Sequence, residues 1–443
     1  MSALNTDLYE LTMAAGYFLA GKTSEVATFE LSVRRLPAAR NFLLAAGLEQ
    51  AVEYLLNLRF EPEEIAYLRT LLQFKNTPPE FFEFLANLRF TGDLFALPEG
   101  TPAFANEPLA VIRAPLVEAQ LVETYLLSTF VFQTTVASKG ARCVLAGQGR
   151  PIVEFGSRRA HSPAAGILAG RAAFIGGCAG TSNAEAGMRF GIPVFGTAAH
   201  SWTMSFPDEE ESFRALQQLL GESTVFLLDT YDTLEGARLA ARFGKPVWGV
   251  RLDSGDLIEL SRQVRRILDD AGLRDAKIFA TNDLDEHRIA QFVRAGAPLD
   301  AFGVGTQLAT SADAPSLSAV YKLVELQRGG ETIYTAKFSD DKSTVPGAKQ
   351  IYRYPHRDLV TLYSECNSEF QGEPLLRPII SAGKLVEPLP SIQKVQQGAQ
   401  TAIAALPGHL HALDEADPYP VEISPRLLAI AESLRQELQP ARP

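Results

Sequence analysis

Cysteine is scarce in this chain: Cys143, Cys178 and Cys366 are the only three among 443 residues. They lack metal-ligand spacing, and one disulfide would leave an odd thiol, so neither a cysteine zinc site nor a disulfide scaffold is expected. Cys178 sits inside an apolar, glycine-rich run and reads as a buried thiol rather than a nucleophile. Long hydrophobic runs are absent, and the opening segment MSALNTDLYE lacks a basic region followed by an apolar core. The expectation is therefore a cytoplasmic protein without a membrane span. Positive charge is in the minority, with 41 Lys and Arg against 52 Asp and Glu and a net charge of −11. That balance disfavours nonspecific nucleic-acid binding but leaves room for a local basic pocket that holds phosphates. No low-complexity tract or internal repeat appears. A chain of this length and 46% hydrophobic content supports a sizeable core and, by default, two domains.

What the sequence does have is a series of short apolar runs, each ending in polar, chemically capable residues. They are PIVEFGSRRAH from Pro151, AAFIGGCAGTSN from Ala172, IPVFGTAAHS from Ile192, STVFLLDTYDT from Ser223, PVWGVRLDSGD from Pro246, KIFATNDLDE from Lys277 and AFGVGTQL from Ala301. Their recurrence every 20 to 30 residues or so, with helical patterns between, is that of strand–helix units in a parallel α/β fold. Buried parallel strands are expected to be nearly continuous apolar segments, and VFLL, VWGV and KIF suit that setting. The fold class expected is α/β: an irregular TIM-like barrel of about seven strands plus a smaller α/β domain built from N- and C-terminal segments. The expected division is residues 1–130, a barrel over 131–320, and 321–443 returning to the first domain. In the outer segments, Leu4 to Gly21 has helical spacing with Thr6 or Asn5 as cap, ATFELSVRRLP reads as a strand, and Leu116 to Gly147 as one or two helices. YKLVELQRGGETIYTAKF reads as a hairpin turning at Arg328-Gly329-Gly330, and Ser424 to Leu438 as a helix.

In such folds the active site lies at the carboxyl ends of the strands, and every polar cluster sits there. Gly303, Gly305 and Thr306 follow the last strand, where glycines let backbone N–H groups approach an anion. Arg158 and Arg159 end the first run and Arg251 the fifth; their planar forks suit carboxylate or phosphate. Asp229, Asp232, Asp253, Asp256 and Asp283 come from neighbouring strand ends and suit magnesium-bridged phosphates or ribose hydroxyls. Asp256 is better read as the cap of a helix beginning at Leu257. No lysine occupies a strand end, since Lys245 and Lys277 lie at strand starts; this argues against Schiff-base chemistry. His200, between Thr197 and Ser201, is the sharpest single residue, because a neutral imidazole can accept a phosphoryl group as well as a proton. His161 is a lesser candidate that lines the site.

Over nearly its whole length the chain resembles nicotinate phosphoribosyltransferase, of the type II phosphoribosyltransferase fold. The resemblance is carried by TDLYELTMAAGYF, FGSRRAHSP, GGCAGTSN, GTAAHSW, LLDTYDT, GVRLDSGDL, ATNDLDE, FGVGTQL and KFSDDKSTVPGAKQIYR, in that order. It implies magnesium-dependent transfer of phosphoribose from phosphoribosyl pyrophosphate to nicotinate, with ATP as co-substrate through a phosphohistidine at His200. It places nicotinate near Tyr9, Thr197 and Arg251, the 5′-phosphate at Gly305 and Thr306 beside Gly303, and the ribose at Asp253. Arg158 then contacts phosphate or the ring; on chemical grounds an aromatic such as Tyr9, together with Phe155, suits holding the ring flat. Asp229, Asn282 and Asp283 complete the expected site; which aspartates contact magnesium is left open. Tyr9 is expected to reach a neighbouring subunit's site, hence a homodimer. The related nicotinamide enzyme carries an acidic residue where this chain has Ser182, which favours nicotinate here. A nicotinamide- or quinolinate-using transferase and a noncatalytic nucleotide-binding protein are the alternatives.

Overall fold

The computed structural model describes residues 2–338, 344–365 and 370–438; Cys366 lies outside them. The chain divides into two compact units, one of residues 1–134, 316–391 and 401–443, the other of residues 135–315 and 392–400.

The second unit is built on a six-stranded parallel sheet. In spatial order its strands are Gly180–Thr181, Ile152–Glu154, Ala301–Val304, Lys277–Ala280, Gly249–Leu252 and Val225–Leu227. Val225–Leu227 and Ala301–Val304 are buried throughout, because helices cover the sheet as the apolar runs require. The crossover helices show the complementary pattern: Leu257–Asp270 buries Leu257, Ser261, Val264 and Leu268, a single stripe at helical spacing. Strand contact is close enough at Gly249 that a Cβ there would lie 2.1 Å from the Lys277 carbonyl oxygen.

Two of the seven runs fold otherwise. Ala172–Ile175 ends the helix Pro163–Ile175, and the strand is only Gly180–Thr181. The run from Ile192 forms no strand; Val194 makes a lone parallel bridge to Thr181. Two expected rim carboxylates are helix caps. Asp256 accepts from the amides of Ile258 and Glu259, as expected, and Asp232 accepts from those of Leu234 and Glu235. Behind the sheet, Lys139 and Arg142 of the helix Glu123–Gly147 pair with the buried Glu286 at 2.5 and 2.8 Å. Glu286 opens the helix Glu286–Arg294, immediately past Asn282 and Asp283.

The first unit joins both ends of the chain. Val26–Val33 pairs antiparallel with Ala319–Arg328 on one side and Pro108–Pro115 on the other, within a seven-stranded sheet. Phe29 stacks on Tyr321 across that pairing, with centroids 4.7 Å apart. The hairpin of Ala319–Arg328 and Glu331–Tyr334 turns at Gly329-Gly330, both with positive φ. The first helix is Leu8–Leu19, shorter than its spacing suggests: Asp7 flanks it, and the Thr6 hydroxyl bonds instead to Glu10 and to the Leu121 carbonyl. Leu116–Leu121 and Glu123–Gly147 are two helices, and the last described helix is Pro425–Leu438.

Candidate active site

The carboxyl ends of the parallel strands surround a cavity of about 410 Å3. Arg251 organises one wall from the end of Gly249–Leu252. Its Nε donates to Thr281 Oγ1 at 2.8 Å, Nη1 to Thr197 Oγ1 at 2.8 Å and to the Ala198 carbonyl at 3.2 Å, and Nη2 to Asp253 Oδ1 at 2.6 Å. One guanidinium thereby fixes residues from three separate segments, at Thr197, Asp253 and Thr281, which only a planar multi-donor fork can do. Asp253 also accepts from the Thr281 hydroxyl. Burial pushes its carboxyl up, but Arg251, Thr281 and His200 outweigh that and hold it below the usual range, so it is ionised.

His200 opens the helix His200–Met204 and stays partly exposed. Its Nδ1 lies 3.2 Å from Thr230 Oγ1 and its Nε2 3.7 Å from Asp253 Oδ2. The ring is thus oriented from both sides, with one face left to the cavity it lines. Asp229, at the end of the neighbouring strand, is absent from the cavity wall. Its Oδ2 accepts from the Asp253 amide and the Ser254 hydroxyl, while its Oδ1 is buried with no hydrogen-bond partner.

On the opposite side Phe155 packs edge-on against Phe279, with centroids 5.4 Å apart. Gly303 is required there: a Cβ would fall within 3.0 Å of Thr281, Phe155 and Phe279. Gly305 and Thr306 open the short helix Thr306–Ala309 and line the cavity together with Ser157, Arg158, Arg159 and Ser182. Asn282 and Asp283 also face it, both with positive φ, a conformation that Asn and Asp tolerate better than other side chains. Of the expected residues, then, Phe155, Arg158, Ser182, Thr197, His200, Arg251, Asp253, Asn282, Asp283, Gly303, Gly305 and Thr306 meet at one cavity. His161 is exposed and lies off its wall. Tyr9 belongs to the other unit, on the helix Leu8–Leu19, where its phenol bonds Glu123.

Thr230, Thr281 and Glu154 went unread in the sequence. The two threonines stand one residue beyond Asp229 and one before Asn282, so proximity to a strand end was their signal. Glu154 carried a plainer one, an acidic residue inside the apolar run PIVEF.

A parallel α/β sheet whose carboxyl rim joins arginines, a histidine and an ionised aspartate around one cavity defines an α/β enzyme acting on an anionic substrate. The particular family follows from comparison with known proteins. Models of the nicotinate phosphoribosyltransferase N-terminal domain, family and C-terminal domain match residues 4–130, 151–343 and 341–431. A nicotinate phosphoribosyltransferase of Mycobacterium tuberculosis is 44% identical over 98% of this chain and 94% of its own length. That of Bacillus subtilis is 39% identical, covering 95% and 93%. The crystal structure of human nicotinic acid phosphoribosyltransferase superposes with a TM-score of 0.84 at 30% identity, covering 97% of this chain and 99% of that one. The chain belongs to the nicotinate phosphoribosyltransferase family.

Proposed function

We propose that this chain transfers phosphoribose from phosphoribosyl pyrophosphate to nicotinate, giving nicotinate mononucleotide and pyrophosphate. The observation that carries the reading is the Arg251 fork, which holds Thr197 and the ionised Asp253 on the wall that His200 shares. In the reaction the C1–O bond breaks with its electron pair leaving on pyrophosphate, and the pyridine nitrogen lone pair forms the new C1–N bond. Positive charge develops at the sugar and negative charge on the leaving group. Asp253, ionised by its neighbours, suits the first; Arg158 and Arg159 suit the second. The nitrogen nucleophile needs orientation rather than a protein base, and Phe155 with Arg251 offers a flat face and a carboxylate partner. Gly303, Gly305 and Thr306 take the 5′-phosphate in this reading, and Asn282 and Asp283 border the ribose.

Magnesium fits the donor set. Asp229 Oδ1 is a buried carboxylate oxygen without a partner, beside Asp253. Such an ion would keep most of its waters and be bound mainly through substrate phosphates. When bound, the ion supplies neutralisation of the pyrophosphate charge. Asp253 would hold it from the cavity wall, with Asp229 behind, accepting from the Asp253 amide.

The same reading makes ATP a co-substrate and His200 the phosphoryl acceptor, since Thr230 and Asp253 already orient its ring. The working form is then a cytoplasmic homodimer with a barrel-like catalytic domain over residues 131–320, in which Tyr9 of one subunit serves its partner's site. The exposed Leu8, Tyr9, Met13 and Leu19 on one helix support such a contact. Among the described residues no helix is long and apolar enough to cross a membrane.

The test is product formation from phosphoribosyl pyrophosphate with nicotinate or nicotinamide, each with and without ATP, with Mg2+ throughout and ADP followed in parallel. Mononucleotide from nicotinate, enhanced by ATP with matching ADP release, is the expected result. Turnover with nicotinamide alone would overturn the substrate assignment, and none with either would leave a noncatalytic binding protein.

A further inference from the structure

Glu154 is fully buried at the end of Ile152–Glu154, and among the described residues no cationic side chain pairs with its carboxylate. Its two oxygens serve two different loops. Oε1 accepts from the Gly156 amide, and Oε2 accepts from the Thr181 hydroxyl at 2.6 Å. Thr181 Oγ1 in turn accepts from the Asn183 amide at 3.0 Å, and Asn183 Nδ2 donates to Ser157 Oγ at 3.1 Å. Ser157 is bonded covalently to Gly156, so the chain of hydrogen bonds closes into a ring. A further link runs from the Ser182 amide to the Glu154 carbonyl at 2.9 Å.

The ring joins two segments that face the same cavity. One is the turn Ser157–Arg159, which presents Arg158 and Arg159; the other follows Gly180–Thr181 and presents Ser182. Space around the ring is tight, since a Cβ on Gly156 would lie 2.3 Å from that of Ala309 and 2.8 Å from the Gly305 carbonyl. A buried carboxylate is costly unless its lone pairs are used, and a carboxylate is the only side chain of this length that accepts on both oxygens. Such a residue in an apolar strand calls for a role beyond packing.

We propose that Glu154 is a positioning residue for substrate binding, locking the Arg158 and Ser182 loops in one fixed relation across the cavity. It touches no substrate and acts through those two loops. The assignment of what the loops bind rests on the transferase reading given above; the ring itself does not.

Glu154→Gln is the decisive variant, because it keeps the volume but replaces one acceptor oxygen with a donor. With a donor facing it, the Thr181 hydroxyl hydrogen loses its acceptor, so the link to residue 154 is reversed and the hold between the two loops is weakened. The expected result is a rise in KM for nicotinate and phosphoribosyl pyrophosphate of about tenfold, the scale of one hydrogen bond to a charged group, with a smaller change in kcat. Thr181→Val should do the same, Thr181→Ser should restore wild-type KM, and the double variant Glu154→Gln, Thr181→Val should be no worse than either single one. Hydrogen exchange gives a readout independent of activity: in Glu154→Gln, amides of residues 155–159 and 181–183 should quicken together. Unchanged KM values, additive effects in the double variant, or exchange that quickens in one loop alone would each overturn the proposal. If the wild-type enzyme fails to use nicotinate, the functional reading falls while the exchange result still decides the ring.

Discussion

Arg251 and Asp253 form a 2.6 Å ion pair across two positions of one strand end. Their spacing matters, because side chains two apart in extended chain project to the same side, so the pair meets without any turn. The pairing spends one Nη on Asp253 and leaves the rest of the guanidinium to fix Thr197, Ala198 and Thr281. Arg251 thus sets the shape of the wall and the charge of Asp253 at once.

Arg251→Lys keeps the charge but not the fork, and a lysine can reach only part of this set of partners. We expect kcat/KM for nicotinate to fall by roughly 100-fold or more, with the protein still folded, because the pocket loses bidentate geometry rather than its cation. Steady-state kinetics beside a thermal melt will separate the two; a variant with near wild-type kcat/KM would show that charge alone suffices.

His200→Ala removes the only cavity-lining imidazole recorded among the described residues. Nicotinate-dependent ADP formation should drop to about 1% or less, while transfer from phosphoribosyl pyrophosphate continues without ATP stimulation, since the Arg251 and Asp253 wall remains. Unchanged ADP formation would remove His200 from the coupling role. Thr230→Val is a milder check: it leaves the ring but removes the contact at Nδ1, so coupling should weaken rather than vanish.

Much of the parallel sheet was legible because fully buried strands leave apolar runs, as at Val225–Leu227 and Ala301–Val304. The same rule misled at Ala172–Ile175, where a helix end buried on all sides is as continuously apolar as a strand, and periodicity cannot separate the two. The rim residues were found because chemistry collects at strand ends, yet Asp232 looks the same in sequence whether it caps a helix or faces a ligand. Glu154 stood out as an acid inside an apolar run, but its role did not. Its partners Gly156, Thr181 and Asn183 come together only because Gly180–Thr181 pairs with Ile152–Glu154, a neighbour relation that no local pattern encodes.

Ser182 lines the cavity, and its amide donates to the Glu154 carbonyl. Ser182→Asp would add a carboxylate to the cavity that takes the carboxylated ring in the proposed transferase reading. The expected outcome is a fall of roughly 10- to 100-fold in kcat/KM for nicotinate, with use of nicotinamide improved or unchanged, because like charge is repelled while an amide gains an acceptor. Parallel assays with the two substrates read the ratio directly, and improved nicotinate kinetics would contradict the assignment.

Glu10 is fully buried on the helix Leu8–Leu19, beside Tyr9. Burial pushes its carboxyl up to about 7, against the pull of hydroxyl and amide bonds from Thr124 and Thr6. A carboxyl raised above its unfolded value of 4.5 binds its proton more tightly in the folded state, so the stability it contributes is full below pH 4.5 and is lost as pH rises through about 7. At about 1.4 kcal/mol per unit, the loss across that window is at most about 3 kcal/mol. Glu10→Gln removes the titration while preserving the bonds: the amide oxygen accepts from Thr124, and the amide NH2 can donate to Thr6, whose hydroxyl then donates to the Leu121 carbonyl it already faces at 3.3 Å. The variant should therefore melt higher than wild type at pH 8 and no higher at pH 5. Equal melting temperatures at both pH values would mean that Glu10 stays ionised in the folded protein, stabilised by Thr124 and Thr6 beyond what burial costs.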